Sequence, residues 1–363
     1  MSEFLQNAWY VAGWAHELDP ARPLARTLID NRLVIYRTSA GAAVCLLDRC
    51  PHRFAPLSMG RIEGDSLRCG YHGMCFGPDG LCRDNPHGSM SKALRVRAFP
   101  LIERHRLLWV WMGEPGLADS RHIPELSFID RAPETSFISG YVPTQAHHLL
   151  MVDNILDLTH ADYLHPESLG GGSMTRSTAS LETMPQDSLR VTWLANHEAP
   201  LPIMRMNFPE PDARIDMWTE VRWWPSGVMT LITGGTPAGQ PRSAGMSAEA
   251  AHIMTPATQS STHYFYSNTR SFATDNVAVT ENIARALRFA FEQQDKPMIE
   301  AQQANIGNTD LLSLHPALQR SDGPSTQARR IFHRLVQNEG QRLPSNHESS
   351  STAATAPLHA STQ

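Results

Sequence analysis

Cys50-Pro51-His52 and Cys69-Gly70-Tyr71-His72 each offer one thiolate and one imidazole from a short loop, and residues 53–68 separate the two pairs. Two thiolates on one iron and two imidazoles on the other are the ligand set of a Rieske [2Fe–2S] cluster. Its neutral imidazoles reduce the negative charge and raise the potential above that of an all-cysteine cluster. Such a centre accepts and passes on single electrons. Zinc also takes two cysteines and two histidines, but zinc-finger sequences usually group the cysteines in one half and the histidines in the other. Here each loop carries one of each, and Pro51, Gly70 and Gly73 supply turns, so the cluster is the stronger reading.

A second group of ligand-type residues lies between Asp153 and Pro166. On an unbroken helix Asp153, Asp157 and His160 stand at i, i+4 and i+7 and share one face. Pro166 disfavours helical backbone at His165, which predicts that the helix ends there and lets the His165 imidazole swing towards His160. Two histidines meeting at a helix end suit half of a 2-His-1-carboxylate Fe(II) site, which leaves one face of the metal open to O₂. Taken alone, the pair also fits a zinc hydrolase or two histidines with no metal. The upstream cluster shifts the balance, because single electrons are of no use to redox-inert zinc and an Fe(II) oxygenase requires them.

The elements that must hold these residues are legible in outline. Leu33–Tyr36, Ala43–Leu47 and Leu107–Met112 are β-rich, and Gly77-Pro78-Asp79-Gly80 signals a turn. The chain up to about 115 therefore predicts a small all-β domain with the two cysteine–histidine loops at its tip. Pro124 and Pro133 punctuate a connector. Beyond it the pattern predicts a helix near 145–165, strands at Leu189–Trp193, Trp218–Trp224 and Val228–Thr233, a long loop over Gly234–Ala248, and a helix from about Val279 to Asn305. Leu343–Gln363 is rich in Ser, Thr and Ala and predicts a disordered tail. Net charge is −5, with Lys+Arg 31 against Asp+Glu 36 and no basic block, which argues against nucleic acid or anionic membrane as a partner. Five cysteines, two of them claimed by the cluster, suggest no disulfide framework. Without a signal peptide or an apolar run long enough to span a bilayer, a cytoplasmic location is expected.

With these motifs in place the chain resembles the Rieske non-haem iron oxygenases, specifically oxygenase components of the vanillate and dicamba O-demethylase type. Further landmarks are Asn85-Pro86-His87-Gly88, Thr255-Pro256 and Met298-Ile299-Glu300-Ala301-Gln302. The resemblance implies an α+β chain: an N-terminal all-β Rieske domain (1–125), a helix-grip-like α+β catalytic domain (126–342) and the tail (343–363). It implies that Cys50, His52, Cys69 and His72 hold the cluster and that His160, His165 and Asp295 hold a mononuclear Fe(II). Relatives commonly carry Glu-Asp where this chain has Gln294-Asp295, and Pro297 is an addition. Asp followed by x-Pro is also a reasonable helix N-cap. Asn154 would lie near the iron and limit its coordination. Asp157 would bridge an iron-ligand histidine and a cluster histidine of the neighbouring subunit in a head-to-tail homotrimer.

The implied reaction uses O₂ and electrons that a separate flavin- and iron–sulfur-containing reductase takes from NAD(P)H, since no dinucleotide loop is evident here. The expected substrate is a small aromatic acid, with O-demethylation of a vanillate-like methoxybenzoate and release of formaldehyde as the first reading. Hydroxylation of a ring or ring methyl of an aromatic carboxylate or sulfonate is the alternative, and a Rieske electron carrier without oxygenase activity is the alternative from another class. His252 matches a histidine that faces the substrate carboxylate in the dicamba-type branch, and a strand-end histidine paired with backbone is the competing reading. Leu231 and Ala286 depart from that branch. Gly170-Gly171-Gly172 and the predicted 234–248 loop are candidate lids.

Overall fold

A computed structural model describes residues 3–177, 179–205, 214–307 and 310–342; the predicted tail at 343–363 lies outside them. The first third is built from short antiparallel strands. Trp9–Trp14, Leu107–Trp111 and Leu101–Arg104 form a three-stranded sheet, and Leu24–Leu28, Asn31–Arg37, Ala43–Leu47 and Ala98–Phe99 a four-stranded one. A second four-stranded sheet, Arg61–Glu63, Ser66–Arg68, Cys75–Phe76 and Cys82–Asp84, carries the Cys69 loop between two of its strands. The predicted turn is present, with the Gly80 N–H donating to the Gly77 carbonyl at 2.9 Å.

A seven-stranded antiparallel sheet organises the remainder: β1 (Ile138–Thr144), β2 (Ser180–Met184), β3 (Ser188–Glu198), β4 (Ile215–Trp224), β5 (Val228–Pro237), β6 (Met246–Thr258) and β7 (Ser261–Arg270), in the order β1-β7-β6-β5-β4-β3-β2. Strand alternation divides its side chains between two faces. On one face Trp224, Val228, Ala251, Ile253 and Phe265 pack against Trp9, Trp14, Trp109 and Trp111 of the first third. On the other face Val191, Trp193, Val221, Trp223, Met229 and Tyr266 meet the helices α1 (His148–Leu156) and α5 (Gly323–Arg342). The fold is therefore α+β, with an all-β N-terminal part.

Two expectations need correction. The predicted 234–248 loop shrinks to 238–245, because Gly234 and Gly235 continue β5. A Cβ on Gly234 would stand 2.2 Å from the Trp218 ring on β4; the glycine makes room for a tryptophan rather than for a turn. The predicted helix over 145–165 is broken into α1, a 3₁₀ turn (Leu158–His160) and the short α2 (Ala161–Leu164). The break falls at Asp157 (φ −124°, ψ 90°), whose Oδ1 accepts from the Thr159 N–H at 3.0 Å and the Thr159 hydroxyl at 2.6 Å. That local Asp–Thr cap competes with helical continuation. Across the break Asp153 still lines one depression with Asp157 and His160. It pairs with the buried Arg329 of α5, at 2.9 Å to Nε and 2.6 Å to Nη2.

The second predicted helix is present and carries a feature the pattern does not announce. It runs as α3 (Val277–Arg288), a π-wound stretch (Phe289–Asp295) and α4 (Lys296–Ile306). Asp295 is thus embedded in a continuous helix (φ −64°, ψ −53°) and is not an N-cap.

Candidate active site

The two cysteine–histidine loops are closed by the same pair of hydrogen bonds. In the first, the Cys50 N–H donates to the Ala55 carbonyl and the Phe54 N–H returns to the Cys50 carbonyl, both at 2.9 Å. In the second, the Cys69 N–H donates to the Met74 carbonyl at 2.8 Å and the Gly73 N–H to the Cys69 carbonyl at 3.1 Å. The fifth residue of each loop is left-handed, at φ 58° for Phe54 and 78° for Gly73. Two matched fingers result. They bury Cys50 and Cys69 and leave His52 and His72 nearer the surface, with ring centroids 4.6 Å apart. Burial, with the adjacent Cys69 thiol adding to it, pushes the Cys50 thiol up to about 11, so only a bound cation would hold this site as thiolate. Two close, buried, unbridged thiols beside two imidazoles fit a cluster.

The second site assembles from elements far apart in sequence. The 3₁₀ turn carries His160, the C-cap of α2 carries His165, and the π-wound stretch carries Asp295. Among the described residues these three form the group of His, Cys, Asp or Glu that could hold a single ion, with donor atoms all within 4.8 Å of one another. Asp295 Oδ1 lies 3.1 Å from His165 Nε2 and 3.5 Å from His160 Nε2. Each imidazole is oriented through its other nitrogen. His160 Nδ1 donates to the Asp157 main-chain carbonyl at 2.6 Å, and His165 Nδ1 donates to Gln294 Oε1 at 2.8 Å. Both Nε2 atoms then present lone pairs, the tautomer a metal requires. The residues fit a 2-His-1-carboxylate iron.

The neighbours refine the sequence expectations. Asn154 Nδ2 donates to Asp295 Oδ1 at 3.1 Å and lies 3.4 Å from His160 Nε2, which places the amide beside the site. Asp157 is adjacent too, but its main-chain carbonyl, not its carboxylate, orients His160. Gln294 was visible only as a departure from a Glu-Asp pattern; its Oε1 serves His165 and its Nε2 donates to the Leu164 carbonyl at 2.7 Å. Arg329 gave no signal.

A cavity of about 150 Å³ opens from this site. Such a volume holds roughly one aromatic ring. Ile155, Leu158, Leu231, Ile283, Leu287 and Phe291 dominate the lining, and His252 is part of it, whereas Ala286 is not. His252 is buried, with Nδ1 2.7 Å from the Tyr264 hydroxyl. Burial lowers its pKa to about 4, so it works as a neutral hydrogen-bonding group rather than a counter-ion. Of the candidate lids, the 170–172 segment is tied down: the Asp162 carboxylate accepts from the Gly171, Gly172 and Thr175 N–H groups at 3.0, 2.7 and 2.7 Å.

Residues 8–100 match the Rieske [2Fe–2S] domain, and residues 144–338 match the vanillate O-demethylase oxygenase C-terminal domain. The chain belongs to the Rieske oxygenases of the vanillate O-demethylase type. It is similar to the oxygenase component of chloroacetanilide N-alkylformylase from Rhizorhabdus wittichii (33% identity over 93% of this chain and 97% of that one). It is similar also to a putative toluene-4-sulfonate monooxygenase iron–sulfur subunit from Comamonas testosteroni (36% identity, 92% and 98%). A crystal structure of dicamba monooxygenase bound to 3,6-dichlorosalicylic acid superposes with a TM-score of 0.88 at 32% identity, covering 93% of this chain and 99% of that one. The oxygenase is accordingly the terminal component of a Rieske monooxygenase system, and the electron-carrier reading falls away. No helix among the described residues is long and apolar enough to cross a membrane.

Proposed function

We propose that this oxygenase hydroxylates a small aromatic acid, with O-demethylation of a methoxybenzoate as the leading reaction. The observation that carries the reading is the set His160 Nε2, His165 Nε2 and Asp295 Oδ1, with both imidazoles fixed in the metal-binding tautomer, opening on a largely apolar cavity of one-ring size. His160, His165 and Asp295 would hold Fe(II), and Cys50, His52, Cys69 and His72 the cluster. Bound there, the cluster would supply single-electron transfer and the iron O₂ activation.

The balance of the reaction is one O₂, two electrons and two protons per methyl group. One oxygen atom enters the methyl C–H bond and the other leaves as water, and the resulting hemiacetal falls apart into a phenol and formaldehyde. The electrons come from a separate NAD(P)H-dependent reductase. The protein's own residues orient and exclude: Leu231, Ile283 and Leu287 keep water from the ring, and Asn154 keeps Asp295 Oδ1 in place. The neutral His252, accepting from Tyr264, keeps an Nε2–H donor for a substrate oxygen. A second reading, hydroxylation of a ring methyl group of an aromatic sulfonate, is favoured by the 36% identity to the toluene-4-sulfonate system and uses the same site.

A head-to-tail homotrimer completes the proposal. Phe54 and Tyr71 at the cluster tip are 65% and 63% exposed. Met298 and Leu318, which share a depression of about 430 Å³ with Asp157 and His160, are 52% and 54% exposed. Apolar residues exposed at both places support mutual covering in a closed ring, with the Asp157 carboxylate next to the junction. The test is metal analysis with product analysis. Purified protein should hold about three irons per chain, two in the cluster and one beyond it, with a Rieske absorption spectrum. With a surrogate reductase and methoxybenzoates it should release formaldehyde; colourless zinc protein, or iron protein that oxidises no aromatic acid, would refute the proposal.

A further inference from the structure

The cavity floor is laid out in rows that run across β4, β5, β6 and β7. Nearest the metal ligands the row is Trp223–Met229–His252–Tyr266, the middle row is Val221–Leu231–Ala250–Asn268, and the far row is Thr219–Thr233–Ala248–Arg270. From the first of these to the last is four residues of strand, about 14 Å at ~3.4 Å each, so the middle row stands about 7 Å from either end. The facing helix runs along the same axis. Ile283, Leu287, Phe291 and Asp295 all line the cavity, and Arg270 Nη2 donates to Thr280 Oγ1 at 2.8 Å, near the other end of that helix. Asp295 and Arg270 therefore mark opposite ends of one elongated chamber.

The far end is polar in an unusual way. Thr219 and Thr233 hydroxyls lie 3.1 Å apart, and the smallest side chain of the row, Ala248, leaves a notch between them and Arg270. Arg270 is only 5% exposed. Its Nη2 satisfies the carbonyls of Ala273 and Asn276 in addition to Thr280, but its Nε and Nη1 are buried without a partner. Among the described residues no carboxylate pairs with it. A buried guanidinium with unspent donors and no counter-ion is costly, and a bound anion would remove that cost through charge-assisted hydrogen bonds.

We propose that Arg270, with Thr219 and Thr233, is the anchor for the substrate's acid group, so that the chamber selects one-ring acids whose oxidised substituent lies para to the acid. With a ring over Ala250 and Leu231 the Arg270 row stands about 7 Å from the ring centre, a span that a ring carboxylate and one hydrogen bond fill. The para substituent then points at the metal ligands, and His252 is left for a neutral oxygen such as that of the ether. The assignment rests on the reading that oxidation takes place at the His160–His165–Asp295 end.

Calorimetric titration of the cluster- and iron-loaded oxygenase under nitrogen tests it, with 4-methoxybenzoate, 2-methoxybenzoate and neutral 4-methylanisole as probes. The para acid should bind at least about tenfold more tightly than either other probe. Arg270→Gln should weaken it by about 10–100-fold, the worth of a charge-assisted pair, and leave 4-methylanisole within about twofold. Should Arg270→Gln fail to fold, Ala248→Leu, which fills the notch, and Thr233→Val carry the test, each weakening the acid selectively. Equal binding of the three probes, or equal weakening of acid and anisole in these variants, would overturn the anchor. Failure of the underlying reading has a different signature: the same Arg270-dependent preference for the para acid, but no formaldehyde from 4-methoxybenzoate when the iron-loaded oxygenase turns over with a surrogate reductase.

Discussion

Replacing Gln294 with leucine should loosen the mononuclear iron without touching the cluster. The amide holds two groups, accepting from His165 Nδ1 at 2.8 Å and donating to the Leu164 carbonyl at 2.7 Å. Leucine keeps the bulk and leaves both without partners. Loss of an outer-sphere partner of a ligating histidine typically costs 10–100-fold in metal affinity, about 1.4–2.7 kcal/mol. Each orphaned group adds about 1–3 kcal/mol of folding cost, at the lower end here because Gln294 is only half-buried. The assay is dialysis against a ferrous chelator, with iron counted against protein and the Rieske absorption as internal control. Gln294→Leu should lose the third iron at about 10–100-fold lower chelator concentration than the parent, while Gln294→Glu, which restores an acceptor and adds charge, should retain it at least as well. Retention by Gln294→Leu equal to the parent would refute the role given to this amide and weaken the claim that His165 binds through Nε2.

Asp157→Asn should leave cluster, iron and fold intact, because asparagine caps a turn as well as aspartate and the carbonyl that orients His160 is main-chain, yet turnover should nearly vanish if the carboxylate bridges to a cluster histidine of the neighbouring subunit; full activity would sink that bridging role. Arg329→Met should cost about 3–5 kcal/mol by stranding the Asp153 carboxylate, read as a lowered denaturation midpoint, and adding Asp153→Leu should recover much of the loss. Acid should destabilise the fold through His147, His252 and His263, each lowered by burial to about 4. The unfolded chain, titrating near 6.5, binds more protons than the native one between those values. Stability therefore falls as pH drops through 6.5 towards 4, by up to about 3 kcal/mol for each histidine. Denaturant titrations at pH 7.5, 5.5 and 4.5 measure it, and an unchanged midpoint would show that these imidazoles accept protons in place.

The cluster loops were legible because both their chemistry and their turn residues are local. The His160–His165 pair was legible for the same reason, but the helix assumed to carry it was not, since the Asp157–Thr159 cap defeats a pattern that only counts apolar spacing. Gly234 and Gly235 read as loop because nothing in their neighbourhood announces Trp218, whose ring takes the space a side chain would need. Arg329 lies 176 residues from Asp153, and only the packing of α5 on α1 makes them partners. Asp295 was placed by resemblance to a family, and its setting in a π-wound stretch leaves no trace in composition.

That stretch sets the phase of the site. Twelve residues of ideal α-helix separate Ile283 from Asp295 and would rotate the aspartate about 120° out of line with the isoleucine; wider winding over Phe289–Asp295 takes up much of that angle and lets both line one chamber. No single helical wheel describes the helix on both sides of it. Winding within the helix thus matters as much as residue type: ordinary winding at unchanged count would turn an intact aspartate about 120° out of line, whereas deleting one residue between 289 and 294 leaves eleven ordinary steps, which end within about 20° of the isoleucine's direction. Chimeras and loop grafts built from this oxygenase must match the number of residues ahead of Asp295 to the winding they adopt before they preserve their identity.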